Sequence, residues 1–315
     1  MFNPAQTAYL FPGQGSQFVG MGFELAQTYP HAREIFEQAD EILGFSLSRL
    51  AWEGPEEELN DTINTQPALF VHSAAVLRLL DEHYPGYKPS YLAGHSMGEL
   101  SALFASGAIP FAEALQLVRK RGELMKLAGN QTPGGMAAIL GLEIPVLDQI
   151  CAQASTATEP VQVANDNCPG QVVISGSKPA LDRAMELARV AGARKVVPLA
   201  VSIPAHSILM SHAQSAFTRS IEETPITSPN IPLVGNVAAA PLTTLDEIRN
   251  DLRAQLTSRV RWTESIQWMA SRGINTFLEL GAGNVLVGLL KRIDRQLQGI
   301  AVGTPSDLDK LKQLA

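Results

Sequence analysis

Ser90-Tyr91-Leu92-Ala93, Gly94-His95-Ser96-Met97-Gly98 and Glu99-Leu100-Ser101-Ala102-Leu103-Phe104-Ala105 follow one another as a short apolar strand, a sharp turn and a helix. Gly-x-Ser-x-Gly alone is a common loop composition. Between a strand and a helix it reads as a nucleophile elbow, which presents a serine hydroxyl at the top of an α/β sheet. Its two glycines permit a tight backbone and close approach of neighbouring elements. At the start of a helix, free amide N–H groups and the helix dipole favour a developing oxyanion. Ser96 is therefore the candidate nucleophile.

The rest of the chain supports an α/β protein in two parts. Upstream, Thr7-Ala8-Tyr9-Leu10-Phe11 is an apolar strand broken by Pro12-Gly13-Gln14-Gly15-Ser16-Gln17, with helical segments following near 21–29 and 31–42. Pro67 is expected to open the apolar helix that runs through Leu77, since proline suits a first helical turn. Another helix is expected near 111–127. Beyond Asn130-Gln131-Thr132-Pro133-Gly134-Gly135 the pattern changes. A strand at Met136–Gly141, a helix at 144–155 and strands near 160–165 and 171–175 come next, with Asn167-Cys168-Pro169-Gly170 as the turn between them. A helix at 178–191 and a strand at 194–199 complete a β-α-β-β-α-β order, the ferredoxin-like signature. The expected organisation is a large hydrolase-like α/β domain over 1–129 and 200–315, with a ferredoxin-like subdomain inserted at 130–199. The large domain resumes with Ile231–Asn236, a helix near 244–255 and the strand Thr276–Leu280.

Composition narrows the function. The 315 residues are 45% apolar and suffice for a sizeable core. No apolar run approaches the roughly 18 residues of a membrane helix, and the N-terminus carries no secretion signal. Cys151 and Cys168 suit a reducing cytoplasm and cannot make a four-ligand metal site. A net charge of −7 argues against nucleic acid as a general partner. The glycine-rich turns after Phe11 and Leu280 lack the third glycine of a dinucleotide fingerprint and the Lys-Ser/Thr of a phosphate loop. Gly13 and Gly15 are better read as letting the backbone beside Gln14 approach the serine.

A serine nucleophile needs a base. Of six histidines, His31 and His83 suit surface roles, His72 sits in an apolar helix, His95 reads as a packing or hydrogen-bonding residue, and His212 lies in a mixed helical run. His206 lies in the broken loop Val201-Ser202-Ile203-Pro204-Ala205-His206-Ser207, where a scaffold commonly carries a catalytic base. No acidic residue between Ser96 and His206 is obviously placed to orient it. A neutral orienter, an amide or backbone carbonyl of Gln or Asn, is the economical expectation.

Several stretches together then resemble the malonyl-CoA:acyl carrier protein transacylases of fatty-acid synthesis, the family that is also parent to polyketide-synthase acyltransferase domains. They are Phe11–Gln17, Thr65-Gln66-Pro67-Ala68-Leu69, Gly94–Glu99, Arg121-Gly122, Gly135–Ile139, Asn165–Gly176, Val201–His206, Gln255 and Glu279–Leu286. The resemblance implies Ser96 as nucleophile, His206 as base and the backbone N–H groups of Gln14 and Met97 as the oxyanion hole. It also implies Arg121 as the carboxylate-binding residue, Gln255 as the residue holding the histidine, and Asn165 in the pocket lining. Ala205 and Met97 depart from the Phe and Leu common in synthase domains. The implied reaction is ping-pong transfer of malonyl from malonyl-CoA to the phosphopantetheine thiol of acyl carrier protein, by a cytoplasmic monomer needing neither cofactor nor metal. Arg119 and Lys120 should face solvent on other sides of the Arg121 helix. Lys291, Arg292 and Arg194 are candidates for meeting the acidic carrier. The rival enzyme is a serine thioesterase of the same family, against which a fixed cation at Arg121 weighs. A silent carrier-binding subunit is the rival outside catalysis.

Overall fold

The computed structural model describes residues 2–314. Among them are ten strands: β1 (Thr7–Phe11), β2 (Tyr91–Gly94), β3 (Gly134–Leu140), β4 (Val161–Cys168), β5 (Gln171–Ser177), β6 (Lys195–Pro198), β7 (Leu233–Val234), β8 (Pro241–Leu242), β9 (Thr276–Leu280) and β10 (Gln298–Val302). They form two sheets. The larger has the order β10-β9-β1-β2-β7-β8, parallel throughout except for β8. The smaller has the order β4-β5-β3-β6 and is fully antiparallel, the ferredoxin-like arrangement.

The large sheet is covered on both faces, as a parallel sheet requires. Alternate residues of β1 show it: Tyr9 and Phe11 enter the core shared with helices Thr62–His83 and Phe111–Gln131. Ala8 and Leu10 enter a second core with Trp262, Ile266, Phe277 and Leu290. In the small sheet β3 buries one face only. Ala137 and Ile139 of β3 pack with Leu147, Ile150, Leu181 and Ala184 from helices Ile144–Ala154 and Lys178–Val190. Two parallel-type bonds join the sheets' bodies: Asp166 N–H to Val260 O at 2.9 Å, and Val260 N–H to Ala164 O at 2.8 Å.

The structure corrects several expectations. Pro67 does not open its helix, which runs over Thr62–His83 with Asp61 accepting the Ile63 N–H at its start. A proline inside a helix leaves the carbonyl four residues earlier without its donor. That carbonyl belongs to Ile63, and Arg119 Nη1 donates to it at 2.9 Å. A side chain 56 residues away thus makes the proline tolerable. The turn between β4 and β5 is only Pro169-Gly170, because Asn167 and Cys168 still belong to β4. Within Ile231–Asn236 only Leu233–Val234 is a strand, and Asn236 lies outside the ladder and braces the elbow. No helix is long and apolar enough to cross a membrane among the described residues.

Candidate active site

Ser96 follows β2 and precedes helix Gly98–Ala105, with φ of 54°, a left-handed conformation that non-glycine residues rarely adopt. The flanking glycines are required by contact. A Cβ on Gly94 would lie 1.9 Å from the Gly98 carbonyl oxygen, and one on Gly98 would lie 2.2 Å from that of Phe11. Asn236 holds the turn from outside: its Oδ1 accepts the Ser96 N–H and its Nδ2 donates to Gly94 O, both at 2.7 Å.

His206 also has a positive φ, 56°, and is 3% exposed. Ser96 Oγ and His206 Nε2 are 2.8 Å apart, and His206 Nδ1 lies 2.9 Å from the Gln255 backbone carbonyl. A carbonyl only accepts, so Nδ1 carries the hydrogen and Nε2 offers a lone pair to the Ser96 hydroxyl. Burial pushes the His206 imidazolium down to about 3, the Arg121 charge adding to the effect and the Gln255 carbonyl opposing it. At neutral pH the ring is a neutral acceptor.

Arg121, on helix Phe111–Gln131, is 1% exposed, and among the described residues no carboxylate pairs with it directly. Its Nη1 donates to Gln66 Oε1 at 2.7 Å, its Nε and Nη2 to Gln255 Oε1 at 3.2 and 2.9 Å, and Nη2 also to Ser96 Oγ at 3.1 Å. Burial lowers its pKa to about 10, with Glu99 opposing, so it stays charged at neutral pH. A buried cation satisfied only by neutral groups is primed for an anion. Arg119 is not freely solvated as expected: its side chain is 24% exposed and is tied to Ile63, Asn64 and Glu123.

The backbone N–H groups of Gln14 and Met97 donate to no group among the described residues. Met97 precedes helix Gly98–Ala105, where the dipole favours negative charge. The Gln14 side chain accepts from Thr62 Oγ1 at 2.9 Å, and Thr62 Oγ1 accepts from Gln66 Nε2 at 2.8 Å, joining the Gln14 loop to the arginine's cradle. Gln255 meets His206 through its main chain, because its side chain is taken up elsewhere. Oε1 serves Arg121, while Nε2 donates to Ser96 O at 3.1 Å and to Glu99 Oε2. Asn165 is buried at a bulge of β4 beside Val260, and no hydrogen bond joins its side chain to Ser96, His206 or Arg121 among the described residues. His95 bonds Asn167 at 2.8 Å and packs edge-on against Trp262, while His72 bonds Gly303 O at 2.9 Å. No group of three or more metal-ligating side chains is assembled among the described residues.

Four site residues escaped sequence reasoning: Gln66, Glu99, Gln162 and Asn236. Gln162 Nε2, from β4, donates to His206 O at 3.2 Å and Thr257 O at 3.1 Å, and its Oε1 accepts the Ile208 N–H at 3.1 Å. One signal was present. Gln66 and Glu99 are polar residues at the start of strongly apolar helical runs.

Residues 8–304 match the acyl transferase domain family. The malonyl CoA-acyl carrier protein transacylase of Bacillus subtilis is 45% identical over 305 residues, 97% of this chain and 96% of the relative. That of Escherichia coli K12 is 42% identical over 301 residues, 96% of this chain and 97% of the relative. The crystal structure of the malonyl-CoA:acyl carrier protein transacylase from Xanthomonas oryzae superposes with a TM-score of 0.95 at 42% identity, covering 99% of both chains. A malonyl-transacylase solved in complex with its type II PKS acyl-carrier protein gives 0.95 at 40% identity, covering 98% of this chain and all of that one. The match spans nearly the whole of both sheets and every residue of the serine–histidine–arginine cluster, and the chain belongs to the acyl transferase domain family.

Proposed function

We propose that this protein transfers a malonyl group from malonyl-CoA to the phosphopantetheine thiol of an acyl carrier protein through a malonyl-serine. Arg121 carries the reading: a buried, charged guanidinium without a carboxylate partner, 3.1 Å from the Ser96 hydroxyl, fits an acyl group with a free carboxylate. The serine thioesterase alternative gives no reason for that cation.

In the first half-reaction Ser96 Oγ attacks the thioester carbonyl as its proton passes to His206 Nε2. The N–H groups of Gln14 and Met97 hold the tetrahedral oxyanion. Collapse breaks the C–S bond, and His206 returns the proton to the departing CoA sulfur. In the second, the carrier's thiol gives its proton to His206 and attacks the acyl-serine, and Ser96 Oγ leaves with that proton. The Arg121 charge depresses the basicity of His206, so a malonyl carboxylate that neutralises Arg121 also strengthens the base. Binding of the correct acyl group thereby helps activate the nucleophile.

The carrier is expected to meet a basic corner that the strands assemble. Arg194, Lys291 and Arg292 are exposed. Arg194 N donates to Leu140 O, Gly141 N to Gly170 O and Arg292 to Gln171, which gathers the cations around the Pro169-Gly170 turn. Two free, buried cysteines support a reducing, cytoplasmic setting.

Intact-protein mass spectrometry after mixing with malonyl-CoA tests the reading. A lasting malonyl adduct that holo carrier protein discharges supports it. Rapid release of malonate without carrier overturns it in favour of hydrolysis, and no adduct at all favours a silent module.

A further inference from the structure

Three residues past the nucleophile, Glu99 lies in the first turn of helix Gly98–Ala105 and is 1% exposed. One of its oxygens, Oε2, accepts from Gln255 Nε2, and the Asn236 backbone N–H also reaches the carboxyl. The other, Oε1, is buried and receives no N–H or hydroxyl donor. The carboxyl of Asp251, which is buried too, lies beside that of Glu99 and acts on its pKa. Asp251, on helix Leu245–Gln255, already accepts the Ala238 N–H at 2.7 Å and the Val237 N–H at 3.2 Å. Two buried carboxylates are acceptors only and repel one another, so contact between them requires a shared proton. With backbone donors on Asp251, that proton sits on Glu99 and is donated to Asp251. Around the pair stand Gln255 from the Asp251 helix, the Asn236 loop, Arg121 from helix Phe111–Gln131 and Arg261 beside Asp251.

Gln255 makes this protonation state matter to the site. Its Nε2 donates to Glu99, and its Oε1 accepts two N–H bonds from Arg121. A neutral Glu99 orients that amide without supplying a counter-charge. An ionised Glu99 would place a carboxylate one side chain from Arg121 and compete with the carboxylate of the substrate. Burial and the neighbouring Asp251 charge both hold the Glu99 carboxyl well above the usual carboxylate range.

We infer that Glu99 is a positioning and specificity-determining residue: a neutral acid, hydrogen-bonded to Asp251, that fixes Gln255 against Arg121 and leaves the guanidinium charge to the incoming acyl carboxylate. This deepens the malonyl-transfer reading and rests on it.

The test compares kcat/KM for malonyl-CoA and acetyl-CoA across pH in the wild type, Glu99→Gln and Glu99→Ala. Infrared spectra of the same proteins at neutral pH accompany the kinetics. Glutamine mimics the neutral acid, offering a carbonyl to Gln255 and an N–H to Asp251. Glu99→Gln is expected to hold the malonyl-to-acetyl ratio within about threefold of wild type at neutral pH. It should also keep that ratio as pH rises, whereas the wild-type ratio declines as Glu99 ionises. Glu99→Ala, which leaves the Gln255 amide without its acceptor, should lower malonyl kcat/KM roughly 10- to 100-fold and reduce the ratio. The difference between the wild-type and Glu99→Gln spectra should contain the carbonyl stretch of a buried carboxylic acid, over and above any from the buried Glu279. In Asp251→Asn, loss of the neighbouring charge should move the decline of the ratio to lower pH. Absence of that difference band overturns the inference, as does a Glu99→Gln ratio reduced as far as that of Glu99→Ala. Failure of the malonyl-transfer reading looks different: no malonyl-serine forms in the wild type, yet the infrared band remains.

Discussion

In the six-stranded sheet β1 buries all five of its residues, whereas in the four-stranded sheet β3 buries every second residue and leaves the others half exposed. A sheet covered on both faces has no free surface along its strands, so reactive groups collect beyond the strand carboxyl ends. Ser96 is there, immediately after β2, beside the Gln14 loop that follows β1. The small sheet makes other contacts along β4. From it Gln162 reaches the His206 carbonyl and Asn167 reaches His95. The large body therefore houses Ser96 and Arg121, and the small sheet supports the loop that carries His206.

The largest effects should come from the large body. Ser96→Ala should form no malonyl adduct by mass spectrometry while unfolding at the wild-type temperature, and His206→Ala should acylate roughly 10²–10⁴-fold more slowly. A persistent adduct on Ser96→Ala, or an unchanged rate in His206→Ala, would move the chemistry elsewhere. Arg121→Ala should lose at least about a hundredfold in malonyl kcat/KM while keeping or gaining acetyl transfer, because a buried charge is felt only when its partner is present or missing. Equal losses for both thioesters would reduce Arg121 to a structural part.

The pH profile sharpens the same division. With its folded pKa lowered to about 3, His206 stays deprotonated as pH falls from 7 to 5. A histidine at its ordinary value would lose about 30-fold in base form by pH 5. The kcat/KM for malonyl-CoA, which reports the free enzyme, should therefore show no histidine limb in that range. An inflection near 6.5 in a pre-steady-state acylation series would contradict the buried, neutral base.

Smaller effects should come from the small sheet. Gln162→Ala should lower kcat roughly tenfold with little change in KM for malonyl-CoA, since it frees a left-handed His206 without touching substrate. A rise in KM alone would show that Gln162 contacts substrate rather than the base loop. At the basic corner, raising salt from low to physiological strength should increase the carrier-protein KM a few-fold and leave the malonyl-CoA KM nearly constant. A salt-insensitive carrier KM would remove Arg194, Lys291 and Arg292 from the docking surface.

How much of this was legible beforehand follows from distance along the chain. The elbow was legible because strand, turn and helix are contiguous and each has its own local composition. The β-α-β-β-α-β order was legible for the same reason, since its periodicity changes at turn residues every few residues. His206 could be singled out by its broken loop alone, without knowledge of what it meets. Strands β8 and β10 left no comparable trace. β8 has two residues and β10 is a short edge strand, and both exist only through partners elsewhere in the chain.

The sequence by itself determined the elements that its periodicity and turn residues can specify, and the candidate nucleophile, because one strained turn needs two glycines around one serine. Tertiary structure alone decided charge states and partners. Arg119 and Arg121 stand two residues apart on one helix, yet the first repairs the backbone break at Pro67 and the second is a buried cation at the nucleophile. The partners that hold Ser96, His206 and Arg121 lie 44 to 159 residues away. Whether a buried group is neutral or charged depends on which distant donors and acceptors desolvation leaves it. No local pattern encodes that.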